Sequence, residues 1–324
     1  EFGTFAPSIT AIQCLSLRDL SRNGRLTGPL SGRLSKLVIL PAVARNVLLA
    51  TLYGLCCVPA VSLMCCVPVL ALDSSHKLFN QELAKYSKGG LVDYAAWQKK
   101  RAPLDQYIGD LTKSTSADYD KLSKDDQKAL WLNVYNAYTI KLVLDNYPIK
   151  GKNQYYPVSS IRQLPGFWEG NQIVICGKKV TLDEIEHNIL RRDFRDPRTH
   201  FAVCSASLGS GKITKAFVGA TLDKQLDEAT VVFLSDTGNV KFNVDEKIAH
   251  LSKTFAWFPL DFSCAAGMSK KFPPPTDDEI VISYILKKAP PAVTKGVTKD
   301  NAREFEVIYD EFDWTLNDKS PAKK

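Results

Sequence analysis

The sequence predicts an α+β fold: a single mixed domain in which N-terminal helices precede strands interleaved with helices, behind a hydrophobic leader. Three observations lead to this. Apolar residues recur at helical spacing between residues 76 and 147. Short β-branched runs bounded by turn residues follow from residue 171 onward. Val47 to Leu72 carries no charged residue at all. The 324-residue chain is 45% hydrophobic and 24% charged, which is ample apolar material for a sizeable core.

The charge-free run follows Arg33, Lys36 and Arg45, the basic-then-apolar order of a secretory signal. Val69 and Ala71 supply modest side chains for a cleavage site ahead of Leu72. The run also exceeds the roughly 20 apolar residues that span a bilayer, although Pro59 and Pro68 would kink such a helix. Residues 37–72 therefore read as a cleaved signal peptide or a retained membrane anchor, and the protein as secreted or membrane-anchored through the secretory pathway. A membrane is a partner only if the leader is retained. In that case Cys56, Cys57, Cys65 and Cys66 are palmitoylation candidates. Residues 1–36 read as untranslated or cloning-derived sequence, because Glu1-Phe2 is what an in-frame restriction site encodes and no initiator Met precedes it.

The formal net charge of +7 is concentrated in the leader, where residues 1–71 carry six basic and two acidic side chains. The remaining 36 basic and 33 acidic residues nearly balance, so no electrostatic case for nucleic acid exists. Cys176, Cys204 and Cys264 lie in the folded part without metal-ligand spacing, so neither a metal nor a cofactor is expected.

The folded domain is expected over residues 75–317, with 318–324 as a tail. His76 to Tyr86 is amphipathic and ends at Ser87 to Gly90, after which a second helix runs toward Tyr107. Residues 123–147 form the strongest helix pattern, with Ser123 as N-cap, Asp125 and Asp126 in the first turn, and Tyr147-Pro148 as its stop. Asn133 and Asn136 share one side of that helix. Residues 171–181 read as a hairpin turning at Gly177 and Lys178, and Thr181 with Glu184 as a capping box opening a helix. Residues 200–204 read as a buried strand entering the small-residue loop 205–211. A helix over 221–234, strands over 239–244 and 247–251, an aromatic run over 255–262, a helix near 278–287 and a last strand over 305–310 complete the pattern.

Several stretches carry a resemblance: residues 90–94 (GLVDY), 131–138 (WLNVYNAY), 141–148 (KLVLDNYP), 181–191 (TLDEIEHNILR), 196–198 (DPR), 200–202 (HFA) and the closing segment from Tyr309 to Asn317. In this order they resemble the uncharacterised family known as domain of unknown function 547, over roughly residues 78–317. The resemblance implies a domain and its extent, and no mechanism. It also implies a departure, since family members often carry Cys where this chain has Ser205, and Cys-Pro where it has Ser210 and Gly211. Cys204 lies one position earlier. Consecutive strand residues face opposite sides, so Cys204 is no simple replacement.

Two functions from different classes fit these residues. One is a hydrolase or transferase with its nucleophile on the 205–211 loop: Ser205 or Ser207 as hydroxyl, Cys204 as an outside thiol, and His187 or His200 as base. Asp183 and Glu184 precede His187 by one helical turn and are in reach to orient it. Gly209 and Gly211 allow backbone N–H groups to approach an oxyanion, and Asn133 and Asn136 position substrate. The other is a non-catalytic binding or scaffold domain that has lost the family cysteine. Each residue also has a structural alternative: His187 as an ordinary helix pair, the asparagines as bridges to neighbouring backbone.

Overall fold

A computed structural model of the protein describes residues 72–319, which fall within one compact unit. The leader up to Ala71 and the last residues from Ser320 lie outside the described residues. Helix α1 (Lys77–Tyr86) buries Phe79 and Leu83 and ends where expected. The break after it is a small hairpin, β1 (Ser87–Lys88) against β2 (Leu91–Val92). Gly89 and Gly90 supply its positive-φ turn. The single helix expected toward Tyr107 is two, α2 (Tyr94–Gln98) and α3 (Ala102–Thr112). Pro103 lies in the first turn of α3, where its missing N–H costs little, and so marks a start rather than a continuation. A further short helix, α4 (Ser116–Asp120), opens on a Thr115–Asp118 capping box. Helix α5 (Lys124–Asn146) is capped by Ser123 as the sequence predicts, and most of its length is buried.

The hairpin of β3 (Ile173–Ile175) and β4 (Lys178–Val180) turns at Cys176 and Gly177, one residue before the expected Gly177 and Lys178, and leads through the Thr181–Glu184 capping box into α6 (Leu182–Glu184). The expected α-helix does not continue. Residues Ile185–Phe194 form a π-helix, closed by i→i+5 bonds. The segment read as a buried strand is also different. It opens with a short helix, α7 (Thr199–Ala202), whose four residues are all buried. A run this short and apolar has no period to separate helix from strand. The turn at Asp196 decides it, with Arg198 N–H donating to the Asp196 carboxylate and Thr199 Oγ1 to its carbonyl.

Helix α8 (Leu222–Leu234) precedes the one three-stranded sheet among the described residues. Strands β5 (Val240–Asn243) and β6 (Ile248–Ser252) are antiparallel, and β7 (Glu306–Asp310) runs parallel to β6. A parallel pair needs a long crossover. Here it passes through α9 (Lys253–Trp257), α10 (Ser263–Ala266) and α11 (Asp277–Lys288). Helices first and a mixed sheet last make the α+β arrangement that the sequence predicts. Among the described residues no helix is long and apolar enough to cross a membrane.

Two apolar clusters form, one around α1–α5 and the π-helix, the other around α11 and the three-stranded sheet. Residues 201–204 pass between them: Phe201 belongs to the second cluster, and Ala202, Val203 and Cys204 to the first. Buried irregular backbone needs partners, and α5 supplies them. Asn136 Nδ2 donates to the Ala202 carbonyl at 3.0 Å and its Oδ1 accepts from Cys204 N–H at 2.8 Å. Asn133 grips Phe217 in the same way, at 2.7 Å to the carbonyl and 2.9 Å from the N–H. The closing segment adds a second brace. Asn317 N–H donates to the Ala206 carbonyl, Leu208 N–H to Thr315 and Gly209 N–H to Asp313.

Removing one asparagine clamp leaves two buried backbone groups unpaired, at about 1–3 kcal/mol each. Asn136→Ala is therefore expected to lower unfolding free energy by about 2–5 kcal/mol in urea titration. A loss under about 1 kcal/mol would mean that the loop backbone finds other partners.

Candidate functional site

The conformation of residues 203–207 determines which side chains face solvent. Cys204 is buried, with its sulfur 3.6 Å from Ser210 Oγ and 3.6 Å from Asn317 Nδ2. Ser205, the next residue, turns the other way and lines an open cleft of about 230 Å³. Ala206 then adopts φ 56°, a left-handed conformation that costs a non-glycine residue about 1–2 kcal/mol. The Asn317 N–H bond to the Ala206 carbonyl braces this residue, and the hydroxyls of Ser205 and Ser207 meet at 3.0 Å.

His200 also lines this cleft. Its Nε2 lies 2.8 Å from Asp261 Oδ2, which assigns the ring proton to Nε2. Among the described residues no hydrogen bond engages Nδ1. The imidazole stacks on Phe258, with ring centroids 4.5 Å apart and planes 8° from parallel. Asp261 is itself gripped by Arg191, at 2.6 Å to Oδ2 and 3.2 Å to Oδ1. Burial alone would raise the Asp261 carboxyl, but the hydrogen bonds from His200 and Arg191 outweigh it and bring it down to about 2. Arg191 packs on the Phe258 ring as well, 4.2 Å from its centroid. One aromatic side chain thus supports both partners of the carboxylate.

His187 sits on the π-helix between Asp183 and Arg191, each four residues away. Its Nε2 is 3.3 Å from Asp183 Oδ1, and its Nδ1 is 3.1 Å from an Arg191 nitrogen. Arginine only donates, so Nδ1 accepts and the proton resides on Nε2. Both ring nitrogens of His187 are engaged, which leaves His200 as the better-placed base. The far wall of the cleft is aromatic, formed by Trp257, Phe312 and Trp314, with Trp168 beside them. Phe312 and Trp314 lie 4.4 Å apart between centroids, and Trp257 and Phe312 5.1 Å apart. Glu186 accepts from Tyr135 Oη at 2.9 Å at the edge of the same cleft.

The structure brings Ser205, His200 and His187 to one cleft and leaves other expected residues out. Asn133 and Asn136 are wholly buried and bind backbone, so they position the loop rather than a substrate. Cys204 faces the core, where burial pushes its thiol up despite its hydrogen bond with Ser210. Glu184 does not orient His187, because its carboxylate accepts from Thr181 N–H in the capping box. Ser207 is buried and lines a second groove, of about 420 Å³, on the other side of the loop. Gly209 and Gly211 also line that groove. Gly209 N–H is bonded to Asp313, and a Cβ at Gly211 would sit 2.2 Å from the Phe201 carbonyl. Their smallness serves close packing and not an oxyanion. Cys176 and Cys204 are free thiols, both buried. Among the described residues no cluster of three His, Cys, Asp or Glu side chains is arranged to hold a metal ion.

Asp261 is the functional neighbour that sequence reasoning missed, and it left a signal. It is the sole charged residue in the aromatic run 255–262, and a charge placed there is costly unless paired. Residues 119–234 match the family described as protein of unknown function, DUF547. No curated protein and no solved structure matches the chain. The matched stretch lies within the span expected from the resemblance. It contains His187, Arg191, His200 and Ser205, and it ends before Phe258, Asp261 and Trp314.

The depressed Asp261 carboxyl stabilises the fold above its ordinary value of 3.8, and that contribution disappears as pH falls through about 2. Asp196, brought down to about 2 by Arg198 and Lys128 against its own burial, acts in the same window. Asp261→Asn is expected to flatten, without abolishing, the fall in urea stability between about pH 5 and pH 2. An unchanged acid limb would show that the carboxylate contributes nothing there. For the buried thiol, alkylation at Cys204 followed by peptide mapping is expected to be negligible in the native protein and fast in urea. Rapid native labelling would contradict its burial.

Proposed function

We propose that this chain is a hydrolase or transferase acting on an acyl group, with Ser205 as nucleophile, His200 as base and Asp261 as the residue that orients His200. One observation carries the reading: Ser205 and a histidine whose ring is held by a carboxylate open onto the same cleft, from opposite ends of a single clamped segment. The roles follow from the chemistry. A serine hydroxyl is a weak nucleophile until a base takes its proton. With Nε2–H donated to Asp261, Nδ1 of His200 is the nitrogen left to accept that proton. The Ser205 Oγ–acyl bond forms as the proton moves to His200. The same proton passes to the leaving group as its bond to the acyl carbon breaks. Water or a second acceptor then releases the acyl group by the reverse sequence. Asp261 stabilises the imidazolium formed on the way, and Arg191 holds the carboxylate in place.

A second reading has an observation of its own. Ser205 Oγ is hydrogen-bonded to Ser207 Oγ and not to an imidazole. A cleft that binds ligand without reacting, in a domain lacking the family cysteine, fits that arrangement. Apo clefts often tighten only with substrate bound, so the present bond does not decide between the two. From the leader we further infer that either activity operates on the secretory route, in a secreted or membrane-anchored protein.

A serine-directed fluorophosphonate probe separates the readings. The enzyme reading expects labelling of the wild-type protein at Ser205, its loss in Ser205→Ala, and a strong reduction in His200→Gln. Absence of labelling in a folded wild-type protein, or equal labelling in Ser205→Ala, favours the binding domain.

A further inference from the structure

The lining of this cleft includes one arginine or lysine among the described residues, Arg162, and no carboxylate lies within ion-pair distance of it there. Arg162 lies in a 3-10 turn (Ile161–Gln163) where its N–H donates to Ser160 Oγ at 3.1 Å. Its guanidinium sits 4.9 Å from the Tyr156 ring centroid, 5.0 Å from Trp314 and 5.5 Å from Trp168. One nitrogen donates to Tyr156 Oη at 2.9 Å. The contrast with the other described arginines is sharp. Arg101, Arg191, Arg192, Arg198 and Arg303 each pair with a carboxylate. Arg195 donates to the Arg192 carbonyl from the exposed end of the π-helix.

A guanidinium held among aromatic rings is already oriented and only weakly hydrated, so engaging it costs little further ordering. Its unused N–H donors form a planar fork that matches an oxyanion. The charges around it limit which oxyanion. Glu169, Asp183 and Glu186 share the lining, and their repulsion grows with ligand charge, which disfavours a dianionic phosphate against a singly charged carboxylate. The rings of Trp257 and Phe312 offer an adjacent apolar face for the rest of the molecule. At about 230 Å³ the cleft admits a small ligand or one end of a larger one.

We propose that Arg162, set among Tyr156, Trp168 and Trp314, is the recognition point for a ligand carboxylate, and that the ligands of this cleft are monoanionic carboxylates bearing a flat apolar group. This rests on the preceding reading only in using the same cleft. It requires binding and no reaction.

Titration calorimetry on the full chain tests it with hydrocinnamate, its neutral amide and phenyl phosphate as probes. The wild-type protein is expected to bind hydrocinnamate about tenfold or more tighter than the amide, as one charge-assisted pair implies. Phenyl phosphate should bind more weakly than hydrocinnamate. Arg162→Gln should bring hydrocinnamate and amide to equal affinity, and Arg162→Lys should keep only part of the preference, because a lysine neither stacks nor forks. Position 162 is exposed to solvent in the native protein, and urea titration checks that each variant folds. Ser205→Ala should keep the full preference. Serine labelling separates the two proposals: a retained carboxylate preference without labelling of the wild-type protein leaves this one standing and removes the reaction. The proposal is overturned by equal wild-type affinity for carboxylate and amide, by tighter phenyl phosphate, by a preference that survives Arg162→Gln, or by no heat with any probe.

Discussion

The two hydrogen bonds between the Asn136 amide and the backbone on either side of Val203 hold the rest of the site in register. They bind an irregular segment that crosses between two apolar clusters, where its polar backbone would otherwise lose water without compensation. With the 202 carbonyl and the 204 N–H pinned to α5, His200 is held on the helical side of the clamp and Ser205 on the other. Asn133 repeats the device at Phe217 and closes the far end of the loop. The long helix is therefore less a wall of the cleft than the template on which its loop is laid.

Around that loop the electrostatics follow from pairing. Asp261 is half-buried among aromatic side chains and stays ionised because Arg191 and His200 both donate to it. Arg191, on the π-helical segment, bonds both Asp261 and the ring of His187 four residues earlier. π-Helical turns recur at functional sites.

The cleft is assembled from both halves of the folded chain. The stretch that matches the DUF547 model contributes the loop, the π-helix and Arg162. The crossover between β6 and β7 contributes Trp257 and Phe258 to the lining and Asp261 as the partner of His200, and the closing segment contributes Phe312 and Trp314. That segment also braces Ala206 and Leu208 through backbone hydrogen bonds, so the strain at Ala206 is held by residues more than a hundred positions away. The aromatic wall and the serine loop are one mechanical unit.

What the sequence determined by itself was local. Ser123 and Thr181 start helices because a side-chain oxygen satisfies an unpaired N–H, and the hairpin turns at Gly177 because glycine accepts positive φ. That Cys204 and Ser205 face opposite sides was legible from adjacency alone, even though the segment before them is helical, but which of the two faces the cleft was not. The grouping of His187, His200 and Ser205 was anticipated as an arrangement of residues but not as geometry. Tertiary structure decided the rest. Nothing near position 200 names Asp261 as its partner, because that contact spans 61 residues and depends on how the β6–β7 crossover packs. The asparagines on α5 carried the right residue type for a site, yet packing on both sides buried them and gave their amides to backbone. Short-range hydrogen bonding is encoded where it occurs, whereas which polar groups end up facing water is settled only when distant apolar surfaces close around them.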